Sequence, residues 1–115
     1  MPNISNEDFQ AFNQYNMQLQ NIAQQKTQLK IVIENTKNAI EELEASKEDS
    51  AYKNLGFVML KVEKSKLIKD LKGEIENLEI RIKTIEKTEE IVTKKVQDLQ
   101  ARFNAEMSKD KDKKA

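Results

Sequence analysis

The chain has 115 residues, 35% of them charged and 37% hydrophobic, and its 20 basic residues balance 20 acidic ones. That is the balance of long solvated helices burying a narrow apolar seam, and a neutral chain raises no overall field to attract nucleic acid or an anionic membrane. With no Cys and no His, the chain excludes disulfides, thiolate nucleophiles, the common zinc sites and imidazole acid–base chemistry, and it implies no cofactor.

Residues 1–5 are a short lead-in containing Pro2, without the basic and apolar regions of a signal peptide. No apolar run approaches the roughly 18 residues of a membrane span, so a soluble, cytoplasmic protein is expected. Ser5 and Asp8 at capping-box spacing predict a helix start near Asn6. From there one heptad position carries Phe12, Leu19, Lys26, Ile33 and Ile40, and its companion carries Tyr15, Ile22, Leu29, Thr36 and Leu43. Eight of these ten are apolar or aromatic, which makes the segment one side of a coiled coil. The period fails in Ala45–Ser50, and the helix is expected to end near Ser46, giving a first element over about 6–46.

Ala51–Val62 is a dense cluster of β-branched, aromatic and aliphatic residues around Gly56, and reads as a β-hairpin turning at that glycine. The expected strands lie near Ala51–Leu55 and Phe57–Val62. Both faces of the second strand carry apolar bulk: Val58, Leu60 and Val62 on one, Phe57 and Met59 on the other. A hairpin this small is marginal alone, and its apolar faces need partners that two helices cannot supply.

Ser65 is the expected cap of a second helix over about 65–107. One seam position carries Ile68, Ile75, Ile82, Glu89, Val96 and Phe103; the other carries Leu71, Leu78, Ile85, Val92 and Leu99. Residues 108–115 are charged and apolar-free, and are expected to be a disordered tail. Two helices joined through a hairpin run antiparallel, and the heptads align when partner numbers sum to about 111, a register centred on Gly56 or just before it. Lys26 and Glu89 then fall in neighbouring layers of the seam, where pairing across it would fix the alignment at some cost in stability. At about 1.5 Å per residue each helix spans on the order of 60 Å, placing the free ends far from the hairpin.

Catalysis has no foothold. The carboxylates are spaced along solvated helix faces, often with opposite charges one turn away, as in Glu79 and Lys83. Neither glycine lies in a phosphate-binding pattern. The free ends gather Ile4, Phe9, Phe12, Tyr15 and Met17 with Phe103 and Met107. Phe12, Tyr15 and Phe103 are seam residues with a packing role to fill, whereas Phe9, Met17 and Met107 lie off the seam. Exposed aromatics and flexible Met suit promiscuous recognition of apolar segments.

The run Ala-Tyr-Lys-Asn-Leu-Gly-Phe-Val-Met-Leu-Lys-Val over 51–62 resembles the strand–Gly–strand signature of prefoldin β subunits. The segment from Lys69 to Gln100, containing Glu-Ile-Glu-Asn-Leu-Glu-Ile-Arg-Ile-Lys-Thr-Ile-Glu-Lys-Thr-Glu-Glu, is similar to that family's second helix. The single hairpin matches the β type, in its archaeal form; the α type carries two. The resemblance implies a mainly α fold, a long antiparallel two-helix coiled coil whose hairpin joins an intersubunit β-barrel. It also implies an ATP-independent chaperone: a hexamer of two α and four β subunits that holds unfolded clients at its tips and passes them to a group II chaperonin. Carried over, Tyr52, Leu55, Gly56, Phe57, Val58, Met59, Leu60 and Val62 would build the hub, and Phe9, Phe12, Met17, Phe103 and Met107 would contact clients. The competing reading is a structural coiled-coil adaptor with one defined partner. Neither reading involves an enzyme, a membrane or nucleic acid.

Overall fold

The structure, a computed structural model, describes residues 5–114, with side chains to Ser108; Ile4 lies outside the described residues. Helix α1 spans Asn6–Ala45, strands β1 and β2 span Ser50–Asn54 and Met59–Glu63, and helix α2 spans Lys64–Lys114. The mainly helical fold with one antiparallel hairpin is the architecture expected from the heptads and the glycine turn.

Helix α1 starts as the capping spacing requires. The Ser5 hydroxyl accepts the Asp8 N–H at 3.1 Å, satisfying one of the donors that a helix start leaves free. Its end falls one residue before Ser46, whose N–H still donates to the carbonyls of Glu42 and Leu43. Lys64 then closes the base of the hairpin, with its N–H on the Asp49 carbonyl at 2.9 Å and its ammonium on the Ser46 carbonyl at 2.8 Å. That closure starts α2 at Lys64 directly from β2, so Ser65 lies inside the first helical turn and does not cap it. At the other end, α2 continues to Lys114, where the sequence was expected to be disordered from residue 108. No Gly or Pro follows Gly73, and lysine is a good helix former, so nothing in the chain breaks the helix there.

The hairpin pairs Ser50 with Glu63, Ala51 with Val62, Tyr52 with Lys61, Lys53 with Leu60 and Asn54 with Met59. The turn therefore takes in Phe57 and Val58, which were expected in the second strand. Local bonding explains the difference: the Leu55 N–H reaches the Val58 carbonyl at 2.9 Å, and the Gly56 N–H reaches the Asn54 side-chain oxygen at 2.8 Å. Gly56, at the tip of the turn, has φ +99°, in the left-handed region that glycine adopts far more readily than other residues.

The chain divides into two compact units, one of the segments up to Lys26 and from Thr84 onward, the other of Thr27–Lys83. In the hairpin unit, Ile33, Ile40 and Ile75 are buried, with Ile68, Leu71, Leu78 and Ile82 packed against them. Thr36, the polar member of that seam, spends its hydroxyl on the Val32 carbonyl of its own helix. In the terminal unit the buried residues are Ile22, Val92, Leu99 and Phe103. Every one of these seven is a seam residue, yet among the described residues no large side chain is completely buried. A two-helix seam can shield a side chain on two sides only, so the core is thin throughout.

Candidate functional site

Each unit carries an apolar surface that its own residues leave uncovered. In the hairpin unit it is the β-hairpin. Tyr52, Leu55, Val58, Met59 and Leu60 are all exposed, and Phe57 at the turn is 92% exposed. Antiparallel pairing sets Ala51, Lys53, Leu60 and Val62 on one face and Tyr52, Asn54, Met59 and Lys61 on the other, so both faces hold apolar side chains. Val62 and Ala51 are half-buried. Two strands also leave both edges of the sheet unpaired. A stable monomer does not normally display so much flat apolar strand.

In the terminal unit the surface is aromatic. Phe103 is 8% exposed and lies between two rings, stacked with Phe9 at 5.1 Å and edge-on to Phe12 at 5.4 Å between centroids. Phe103, expected among the residues offered to clients, is thus an internal support: its seam position turns it into the helix pair. Phe12 is half-buried, while Phe9, Met17 and Met107 are 48%, 64% and 52% exposed. The large apolar side chains exposed in this unit are Phe9, held flat on Phe103, with Met17, Met107 and Ile91, the last of which the sequence did not single out.

Polar contacts fix that arrangement. Arg102 and Asp8 form an ion pair at 3.0 Å, and the Lys95 ammonium sits 5.4 Å from the centre of the Tyr15 ring. Neither was expected from the sequence, although the register of 111 sets Asp8 level with Phe103, one residue from Arg102. The seam charges behave as the heptads suggest. Lys26 donates to Glu89 at 3.0 Å and lies 3.7 Å from Glu86, with its side chain 18% exposed. The Glu89 hydrogen bond, aided by the charges of Glu89 and Glu86 and opposed by desolvation, raises the Lys26 pKa above its ordinary 10.5. Across the terminal unit, contacting residues on the two helices have numbers summing to between 110 and 115, close to the expected register.

Among the described residues no group of acidic side chains is arranged to hold a metal ion, and no helix is long and apolar enough to cross a membrane. What the arrangement offers is apolar surface: a sheet element with unpaired edges, and an apolar patch on a fixed aromatic support. Such features define a subunit of a coiled-coil assembly.

Comparison with known proteins agrees. A family described as "Prefoldin subunit" matches residues 6–110. The prefoldin subunit beta of Methanospirillum hungatei is 34% identical over 107 residues, covering 92% of this chain and 88% of that protein. The Pyrococcus abyssi subunit is 34% identical over 92 residues, covering 79% of each. The crystal structure of the prefoldin beta subunit from Thermococcus strain KS-1 superposes with a TM-score of 0.78 at 30% identity, over 91% of this chain and 96% of that one. The chain belongs to the prefoldin family, with its beta subunits.

Proposed function

We propose that this chain is a chaperone subunit that captures unfolded proteins without ATP, as one of four β subunits assembled with two α-type subunits. The exposed hairpin carries the reading: Tyr52, Leu55, Phe57, Val58, Met59 and Leu60 are uncovered in a single chain, and both sheet edges are free. Hairpins of neighbouring subunits would supply the missing strands and close a shared barrel, which removes the edges altogether. Phe9, Met17 and Met107 would hold clients, with Phe12 at their margin. Several weak apolar patches around one cavity bind an unfolded chain by avidity, which requires no tight site on any single subunit. The client would then pass to a group II chaperonin, in the cytoplasm, with no catalytic step by this chain.

Co-expression with an α-type partner and measurement of the native mass tests this. A complex of about six chains that suppresses client aggregation is the expected result. A chain that stays monomeric or dimeric with that partner would reject the reading in favour of a structural adaptor. Within the complex, removal of Met1–Asp8 and Ala105–Ala115 should leave the mass unchanged and weaken client capture; unchanged capture would move the client surface elsewhere.

A further inference from the structure

Beside the hairpin, the same unit contains an apolar groove of about 420 Å³. Its walls are Leu43 of α1, Ala51 of β1, and Leu67 and Leu71 of α2, with Glu42 and Lys53 also lining it. A dry cavity of about 150 Å³ accepts a benzene ring, so this groove has room for an aromatic side chain. The chain carries such a side chain in a prepared position. Phe57 is 92% exposed on a turn held by the Leu55–Val58 backbone bond and the Asn54–Gly56 bond. Presenting the ring there costs little ordering on binding.

We infer that Phe57 of one copy of this chain inserts into the Leu43–Leu67–Leu71 groove of a second copy. The ring cannot fill its own groove. Opposite Gly56 at the tip, it lies three residues along the hairpin from the level of Lys53 and five from that of Ala51, on the order of 10–17 Å at about 3.3 Å per residue. Asn54–Leu60 contains no charged residue, so the inserted loop brings no ionic group that the apolar walls would desolvate. Tyr52 lines the groove as well, and the five other exposed hairpin side chains, at about 150–250 Å² for a full aromatic, offer on the order of 500–600 Å². That approaches the roughly 800 Å² per partner of a standard interface. Because projection and groove both lie on one chain, two copies can make the contact reciprocally, or each can pass it to the next. The inference rests on the proposed hub assembly and names one contact that would orient its members.

The natural sequence has no cysteine, so the contact can be mapped directly. Phe57→Cys and Leu43→Cys are prepared separately, mixed, assembled with a cysteine-free α-type partner and treated with a short bismaleimide. Since both cysteines belong to this chain, any cross-linked dimer joins two copies of it. The mixture should give a residue 57–residue 43 product, identified by peptide mass, several-fold above either variant alone. A complex of full mass that yields only 57–57 product, or none, overturns the inference while leaving the proposed function standing. Failure to form any complex with wild-type chains overturns both. Reaction of Phe57→Cys with a cysteine placed in the α-type partner, in place of the 57–43 product, makes that partner the occupant and likewise overturns it.

Discussion

Phe103 and Phe9 share one aromatic contact but are buried very differently, and truncating each should separate stability from function. Burial of Phe103 contributes about 1.5–3 kcal/mol, and its two ring contacts add about 0.5–1.5 kcal/mol each. Phe103→Ala should therefore cost about 3–5 kcal/mol, in the range for Phe-to-Ala changes that leave a cavity. Phe9 is 48% exposed and makes one ring contact, so Phe9→Ala should cost about 1–3 kcal/mol. Urea unfolding followed by helical circular dichroism, with amide exchange at residues 9–22 and 92–103, measures both. Client capture by the assembled complex should rank the other way for damage per unit of stability lost: Phe9→Ala weakens capture in a complex whose helices remain protected. Equal stability losses for the two variants would refute the distinction between support and surface. So would full capture by a complex in which Phe9 is alanine, and the client patch would then have to rest on Met17 and Met107.

Three further outcomes follow from the polar seam, the turn and the hairpin. Because partners raise the Lys26 pKa above 10.5, its contribution to stability is fully present below that value and is lost as pH rises through the higher folded pKa; the stability difference between wild type and Lys26→Met should be flat up to about pH 10 and fall above it. A difference that instead changed between about pH 7 and 9 would exclude the ammonium as its source. Gly56→Ala meets no atom within 4 Å, so its cost is the backbone term alone, about 1–2 kcal/mol for an L-residue held at φ +99°, read as lost exchange protection in Ser50–Glu63 without loss in Ile33 or Ile75. Leu60→Asp should leave the isolated chain helical, since Leu60 is exposed in it, yet block the complex by placing an unpaired charge in the hub; a complex of normal mass would show that this strand face stays solvated.

The helices were legible because their signal is periodic. Phe12 to Leu43 and Ile68 to Phe103 mark a seam that recurs every seven residues, and every residue in the core belongs to it. The Lys26–Glu89 pair was legible for the same reason: heptad phase and chain reversal together place two charges in adjacent layers. Gly56 was legible because only glycine readily accepts the dihedral that the turn requires. Strand boundaries were not. Phe57 and Val58 have strand propensity, but the bonds made by Leu55 and Asn54 put them in the turn, and propensity carries no information about which carbonyl a neighbouring amide will reach. The start of α2 was hidden similarly, since Ser65 looks like a cap until Lys64 is seen to close the hairpin on Asp49 and Ser46. At the aromatic end, seam position pointed to burial of Phe103 while residue type pointed to exposure, and packing against Phe9 and Phe12 decides for burial.

The polar layer and the aromatic surface of the terminal unit depend on each other through register. A seam of Ile, Leu and Val layers tolerates slippage by a whole heptad, because apolar side chains of similar size exchange places at little cost. Lys26 does not tolerate it. Displaced by seven residues along α2, its ammonium would meet Ile82 or Val96 where Glu89 now stands and would lose the 3.0 Å hydrogen bond, keeping at most Glu79 in the place of Glu86. The ion pair therefore acts by making the wrong registers costly, and its value lies in specificity more than in strength. The register it selects is the one that stacks Phe9 on Phe103 and brings Arg102 to Asp8. One heptad away, Phe103 would lose both ring partners and the apolar surface at this end would have no support. A chaperone subunit must present the same apolar surface every time, and here a lysine and a glutamate in the seam secure that.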